Sequence, residues 1–176
     1  TPGVMLSSAA KEYLKVYGVL VGKKPLIFTN NDSGYETAIE FKKNGVDPII
    51  LDTRKDPKSE IIDEAKKLDI QIKFSYVVVA AKGYKKVKSA EVAKISDDKN
   101  ELGTLETINC DCICVSGFWT PTIHLASQSG NKTTFNKDID AFVPGLSKQN
   151  ETTLGAANGT FTLEETLKNS FDSGYE

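Results

Sequence analysis

The segment Pro25-Leu26-Ile27-Phe28-Thr29-Asn30-Asn31-Asp32-Ser33-Gly34 reads as a short buried strand that breaks into a polar loop and then opens a helix. From Ser33 to Lys43 the apolar positions Ala38, Ile39 and Phe41 suit that helix, and Asn44-Gly45 supplies a left-handed cap. A second strand over residues 47 to 52 completes a βαβ unit, whose crossover should be right-handed.

Working outward, residues 57 to 69 give another amphipathic helix through Ile61, Ile62, Ala65 and Leu68, and Ile70-Gln71-Ile72 returns as a third parallel strand. Residues 74 to 81, 86 to 95 and 105 to 108 read as antiparallel strands, joined at Gly83-Tyr84 and through the polar loop 96 to 103. The stretch from Cys110 to Ser116 is continuously apolar, as expected of a strand at a sheet centre. On the amino-terminal side, Met5, Ala9, Tyr13, Val16 and Tyr17 form a helical stripe over 5 to 17, preceded by the turn Thr1-Pro2-Gly3. The predicted fold class is α/β, with parallel strands near 26, 48, 71 and 112, helices on one face and an antiparallel three-strand layer on the other.

Composition changes near Ser127. The segment 128 to 148 is polar, interrupted by Gly and Pro, and has no sustained period. A last short strand is expected over 154 to 157, and Thr162-Leu163-Glu164-Glu165 is a capping box opening a helix to about residue 172.

The chain has 176 residues, 22 Lys plus Arg against 24 Asp plus Glu, and a net charge of −2, so there is no cationic excess to match a nucleic-acid backbone. Its longest apolar runs fall well short of the roughly 20 residues needed to span a bilayer, no signal-like leader is expected, and the cytoplasm is the default location. Cys110, Cys112 and Cys114 alternate, which on a regular strand puts all three on one face at roughly 7 Å spacing. They are expected to act as small buried hydrophobes, with no metal site.

In a dinucleotide-binding βαβ unit the first loop carries G-x-G-x-x-G. Placing Gly34 third puts Thr29 and Asn31 at the first two glycine positions, so only the helix-packing glycine is retained. Side chains at those positions crowd a pyrophosphate, and the loop 29 to 33 is expected not to bind one. Gly34, with Glu36 and Ala38 continuing the pattern, and Asp52, at the end of the next strand where a ribose-binding acid belongs, are the cofactor-contact candidates of this degenerate loop. Gly155, Ala156, Asn158, Gly159 and Thr160 form a second candidate, because small residues before a capped helix let backbone amides approach a ligand. His124 is the sole histidine and is expected to be hydrogen-bond satisfied or at the surface; Ser116, Ser127 and Ser129 lack a nucleophile-elbow sequence. Trp119 is expected to pack, and lysines 82, 85, 86 and 88 to form a solvated sheet edge. No catalytic residue is assigned.

Three segments together resemble a known family: Thr29 to Ala38, Val115-Ser116-Gly117-Phe118-Trp119-Thr120-Pro121 on through Gly130, and Phe142-Val143-Pro144-Gly145 with Gly155 to Leu163. They are similar to the α subunit of heterotetrameric sarcosine oxidase, over nearly the whole chain. The resemblance implies an internal fragment containing a Rossmann-like FAD/NAD(P)-binding three-layer domain plus the closing strand and helix of a neighbouring dinucleotide domain. On that scheme 1–24 is an entry helix and linker from an outer domain, 25–126 the inserted domain, 127–149 a connection and 150–176 the closing piece.

The family's enzyme oxidises sarcosine with tetrahydrofolate and oxygen, giving glycine, 5,10-methylenetetrahydrofolate and hydrogen peroxide. The resemblance implies NAD on the intact α subunit, FAD and FMN in the complex, the other sarcosine oxidase subunits as partners, and tetrahydrofolate on another domain of the parent chain. It also puts Asn158 where related disulfide reductases carry an acid. The alternative is a non-catalytic dinucleotide- or small-molecule-binding module of another flavoprotein oxidoreductase. Residues 150 to 176 are further expected either to pack with helix 5 to 17 against the inserted domain or to self-associate, pairing with another copy of the chain.

Overall fold

The computed structural model describes residues 2–96 and 101–174. Thr1 of the first expected turn and residues 97–100 of the expected polar loop lie outside the described residues. The chain divides into two compact units, Thr1–Phe118 and Trp119–Glu176.

The first unit is built on a five-stranded parallel sheet. Its strands are β1 (Val4–Leu6), β2 (Pro25–Thr29), β3 (Ile49–Asp52), β4 (Gln71–Phe74) and β8 (Cys112–Ser116), in the order β1-β8-β2-β3-β4. Helices α1 (Ser7–Tyr17), α2 (Ser33–Lys43) and α3 (Glu60–Lys67) cover one face. An antiparallel layer of β5 (Tyr76–Lys82), β6 (Ser89–Lys94) and β7 (Glu106–Asn109), in the order β5-β6-β7, covers the other. This is the three-layer, Rossmann-like α/β arrangement that the strand spacing predicts.

Alternation along the strands divides the core. Ile27, Ile50, Cys112 and Cys114 point to the helices, where they meet Ala10, Tyr35, Ala38, Phe41, Ile62 and Ala65. Leu26, Leu51 and Ile113, one residue out of phase, meet Val87, Ala90 and Val92 of the antiparallel side. Both faces of β2 are buried, which explains why its sequence is an apolar run rather than an alternation.

Three expectations for this unit need correction. Residues 4 to 6 are not the start of the helix: they pair in parallel with Ile113, Cys114 and Val115, so Met5 belongs to an edge strand and α1 begins at Ser7. The backbone of β8 would otherwise have one open edge, and satisfying it outweighs one more helical turn. The cysteines do not share a face. β8 begins only at Cys112 because Asp111 turns its carboxylate to the backbone N–H groups of Lys23 and Lys24, at 2.9 and 2.8 Å, and Cys110 falls into the antiparallel-side cluster. Nor are Cys112 and Cys114 spread to the strand repeat, since their rotamers bring the Sγ atoms to 3.6 Å. Burial, with Asp111 and Cys112 nearby, pushes the Cys110 thiol up to about 11, and Cys114 is held well above its usual range by its partner Cys112 and by burial.

In the second unit, α4 (His124–Gln128) is followed by an antiparallel hairpin, β9 (Thr133–Asn136) with β10 (Ala141–Pro144). The sequence reading assigns neither strand. The expected strand over 154 to 157 is instead a single 3-10 turn, Gly155–Asn158, because Gly155 at φ +64° reverses the chain and leaves no extended segment to pair. Helix α5 (Leu163–Gly174) starts at the expected capping box: Thr162 Oγ1 donates to Glu165 Oε2 at 2.7 Å and accepts from the Glu165 N–H at 3.4 Å. None of the described residues of α5 is buried.

Candidate functional site

In an open parallel sheet, ligands collect at the carboxyl ends of the strands where the connections reverse direction. Here β2, β3 and β4 progress to one side while β8 lies on the other side of β2, so the reversal falls between Thr29 and its register partner Ser116. Side chains of the chain itself occupy this point. Asn31 Oδ1 accepts from the Ser33 N–H at 3.0 Å, from Ser33 Oγ at 2.7 Å and from Ser116 Oγ at 3.2 Å. Its Nδ2 donates to the Gly117 carbonyl. The two serine hydroxyls also touch each other at 2.6 Å, and Thr29 Oγ1 donates to the Asn31 carbonyl at 2.7 Å.

The first turn of α2 therefore presents its Ser33 N–H to an amide oxygen from its own loop. In a nucleotide site that position faces a phosphate oxygen. A carboxamide oxygen is a neutral acceptor of comparable reach, so it satisfies the helix terminus without an anion.

Gly34 has the packing part of the glycine pattern: a Cβ there would lie 2.6 Å from Thr29 Cβ and 2.7 Å from Thr29 Oγ1. Asp52 does end β3, but it is fully buried and its carboxylate is already taken. It accepts from the Tyr35 hydroxyl at 2.7 Å and from Arg54 through the backbone N–H at 2.9 Å, Nε at 3.1 Å and Nη2 at 2.8 Å. Arg54 Nη2 also pairs with Asp32 at 2.8 Å, tying the loop to the end of β3. Burial, reinforced by the Asp52 hydrogen bond, holds the Tyr35 phenol far above its usual range. For Arg54 burial works in the opposite direction, but the two carboxylates outweigh it and the guanidinium stays charged.

Tyr35, Ser33, Ser116 and Arg54 are thus the residues that shape this point; the sequence reading puts Ser33 in the loop but gives Tyr35, Ser116 and Arg54 no part in it. Arg54 carried a usable signal, an arginine two residues beyond the strand-end acid.

The second candidate lies in the other unit. Gly159 adopts φ +84°, and a Cβ on it would come within 2.7 Å of Ile139 Cδ1, so both its backbone and its neighbours require glycine. The Gly159 and Thr160 N–H groups turn inward to the carbonyls of Ala156 (3.3 Å) and Gly155 (3.0 Å). Ala156 and Asn158 remain exposed, which leaves the Asn158 carboxamide as the outward polar group of the turn. His124 is exposed, and Trp119 is 59% exposed with its ring tilted against Phe161 at 6.4 Å. Among the described residues, no group of three or more His, Cys, Asp or Glu could hold a metal ion, and no helix is long and apolar enough to cross a membrane.

Comparison with known proteins extends this picture. No family model matches the chain. It is 37% identical over 161 residues to sarcosine oxidase subunit alpha of Rhizobium meliloti (strain 1021), covering 90% of this chain and 15% of that protein. It is 30% identical over 168 residues to the same subunit of Corynebacterium sp. (strain P-1), covering 94% of this chain and 17% of that protein. Among solved structures it resembles the flavoprotein disulfide reductase RclA from Escherichia coli, with a TM-score of 0.65 at 14% identity over 98% of this chain and 38% of that one. Thioredoxin reductase of T. acidophilum gives a TM-score of 0.59 at 15% identity, over 96% of this chain and 58% of that one. The structural likenesses show a shared fold, and the sequence relationships are more specific: the chain matches an internal stretch of the sarcosine oxidase α subunit, spanning 15 to 17% of the length of the curated relatives it matches.

Proposed function

We propose that this chain is a non-catalytic scaffold segment of a sarcosine oxidase α subunit, contributing to a dinucleotide-binding region while its own first βαβ loop stays closed to nucleotides. The parent enzyme would demethylate sarcosine oxidatively with tetrahydrofolate and oxygen, in the cytoplasm, giving glycine, 5,10-methylenetetrahydrofolate and hydrogen peroxide. NAD would sit on the intact subunit, with FAD, FMN and the other subunits completing the complex. The relationship to the family supports this reading, and one observation carries the assignment of the loop: the Ser33 N–H and the hydrogen-bonded pair of Ser33 and Ser116 hydroxyls converge on Asn31 Oδ1 where a pyrophosphate would need donors. The residues there do not fit a dinucleotide, because a ribose would also find Asp52 buried and already bonded.

The turn Gly155–Thr160 fits such a group better. Asn158 can exchange a hydrogen bond with a ribityl or ribose hydroxyl, and small neighbours leave room for the approach. Its role would be to hold and orient, since a carboxamide moves no proton near neutral pH.

Calorimetric titration of this chain with NAD and with FAD tests the proposal, run beside a Thr29→Gly, Asn31→Gly double variant. No saturable NAD binding at the loop is expected for the wild type. Micromolar NAD binding by the wild type, lost on Asp52→Ala with the fold retained by circular dichroism, would refute it.

A further inference from the structure

At the opposite, amino ends of the strands the first unit has a cleft of about 440 Å³, within the size range of small-molecule sites. Its walls come from the loop entering β2, the loop between α2 and β3, and the end of β7. The floor is apolar: Leu26 and Val46 are buried, and Ile49 and Ile108 are half-buried. Pro25 and Pro48 line it as well and bring no backbone N–H to the surface.

The polar groups at its rim are asymmetric. Lys23 and Lys24 are exposed, and neither ammonium has an ion-pair partner among the described residues. The acid on the rim, Asp47, is paired with Lys42 at 2.6 Å. Asp111, behind the loop, spends both carboxylate oxygens on the backbone N–H groups of Lys23 and Lys24. Those bonds fix the backbone from which the two lysines project. Gly22 is part of the same clamp, since a Cβ there would lie 2.6 Å from Asp111 Oδ1. A rigid apolar floor with two exposed ammonium groups at the mouth, neither in an ion pair among the described residues, favours one class of ligand, a small organic acid whose apolar body enters while its carboxylate stays at the rim.

We infer that this cleft binds small monocarboxylates with a compact apolar body. The site lies at the far end of the strands from the Asn31 network and stands whether or not the scaffold role is correct.

The test is amide NMR of the full chain titrated with 2-naphthoate, with neutral 2-naphthamide and with acetate. Saturable naphthoate shifts confined to residues 23–26, 45–49, 71 and 108–110 are expected, weakened about tenfold by Lys23→Ala with Lys24→Ala and by raised salt. Naphthamide should bind more weakly in the wild type and be unaffected by that double variant, and acetate should give no saturable shift. Asn109→Trp, an exposed rim position, should block naphthoate with the spectrum otherwise folded. Absence of saturation, shifts scattered over other apolar surfaces, or equal affinity for acid and amide would overturn the inference.

Discussion

Replacing Gly34 by alanine isolates the one glycine of the nucleotide pattern that this loop retains. A methyl group there would meet Thr29 Cβ at 2.6 Å, Oγ1 at 2.7 Å and Cγ2 at 3.1 Å, all of them atoms of a fully packed strand residue. None is the tip of a flexible side chain, so α2 must move away from β2. Overpacking of this kind costs about 1–3 kcal/mol. Alanine returns at most about 1 kcal/mol of helix propensity, and less in a first turn. The net expectation is a loss of about 1–2 kcal/mol, or roughly 3–6 °C in melting temperature for a chain of this size.

Because Trp119 lies in the other unit, the loss is best read where it occurs, by native-state amide exchange at Ile27 and Phe28 together with urea unfolding followed by circular dichroism. The companion variant Thr29→Gly removes all three clashing atoms. In that background Gly34→Ala should be neutral or stabilising, giving a coupling of about 1–2 kcal/mol in a double-mutant cycle. If Gly34→Ala matches or exceeds the wild type, or if the two changes are additive, the helix–strand contact is not what requires glycine.

Three further outcomes are expected. Asp52→Asn should cost about 2–4 kcal/mol in chemical denaturation, less than a sealed ion pair would because Arg54 is 31% exposed, since it sets an amide donor against the Tyr35 and Arg54 donors. In the wild type the Tyr35 phenol is held protonated, so its contribution is complete below the ordinary phenol value of 10.0 and is lost as pH rises beyond it; melting curves between pH 8 and 11 check the sign. Deleting residues 150–176 should leave the first unit folded but change sedimentation or solubility, because Leu163 and Leu167 are 75% and 61% exposed on α5; an unchanged sedimentation profile and melting curve would refute this.

The layered core was legible because its signals are local and redundant. Strand β2 announces itself by an apolar run, and α2 and α3 by period, while the two-residue spacing within β2 and β8 distributes side chains to two clusters. What failed was short or conditional. Three residues of β1 carry too little pattern to outvote the helical stripe that Met5 extends in one dimension, and only the open edge of β8 decides the matter. Cys110 left the face of Cys112 and Cys114 because Asp111 bends the chain to cap a loop almost ninety positions earlier, a contact that no periodicity encodes. The hairpin β9–β10 and the 3-10 turn lie in a polar unit where buried side chains are few, so the hydrophobic signal that locates elements is weakest there.

The site shows the same division between composition and geometry. Counting glycines is enough to expect that Thr29 and Asn31 hinder a pyrophosphate by bulk. The structure supplies a second cause of a different kind: Asn31 both crowds the space and satisfies the donors that an anion would satisfy, joined by Ser116 from the neighbouring strand. Bulk alone could be relieved by a small shift of the loop, whereas a filled hydrogen-bond set must be broken before a phosphate gains anything, at about 0.5–1.5 kcal/mol net for each neutral bond. Asn31→Gly removes both obstacles and Asn31→Leu only the second. If crowding alone closed the loop, the leucine variant would remain as stable as the wild type. Loss of the bonds to Ser33 and Ser116 should instead lower its stability by about 1–3 kcal/mol, with faster exchange of the Ser33 amide, and an unaltered exchange rate there would refute the occupied-terminus reading.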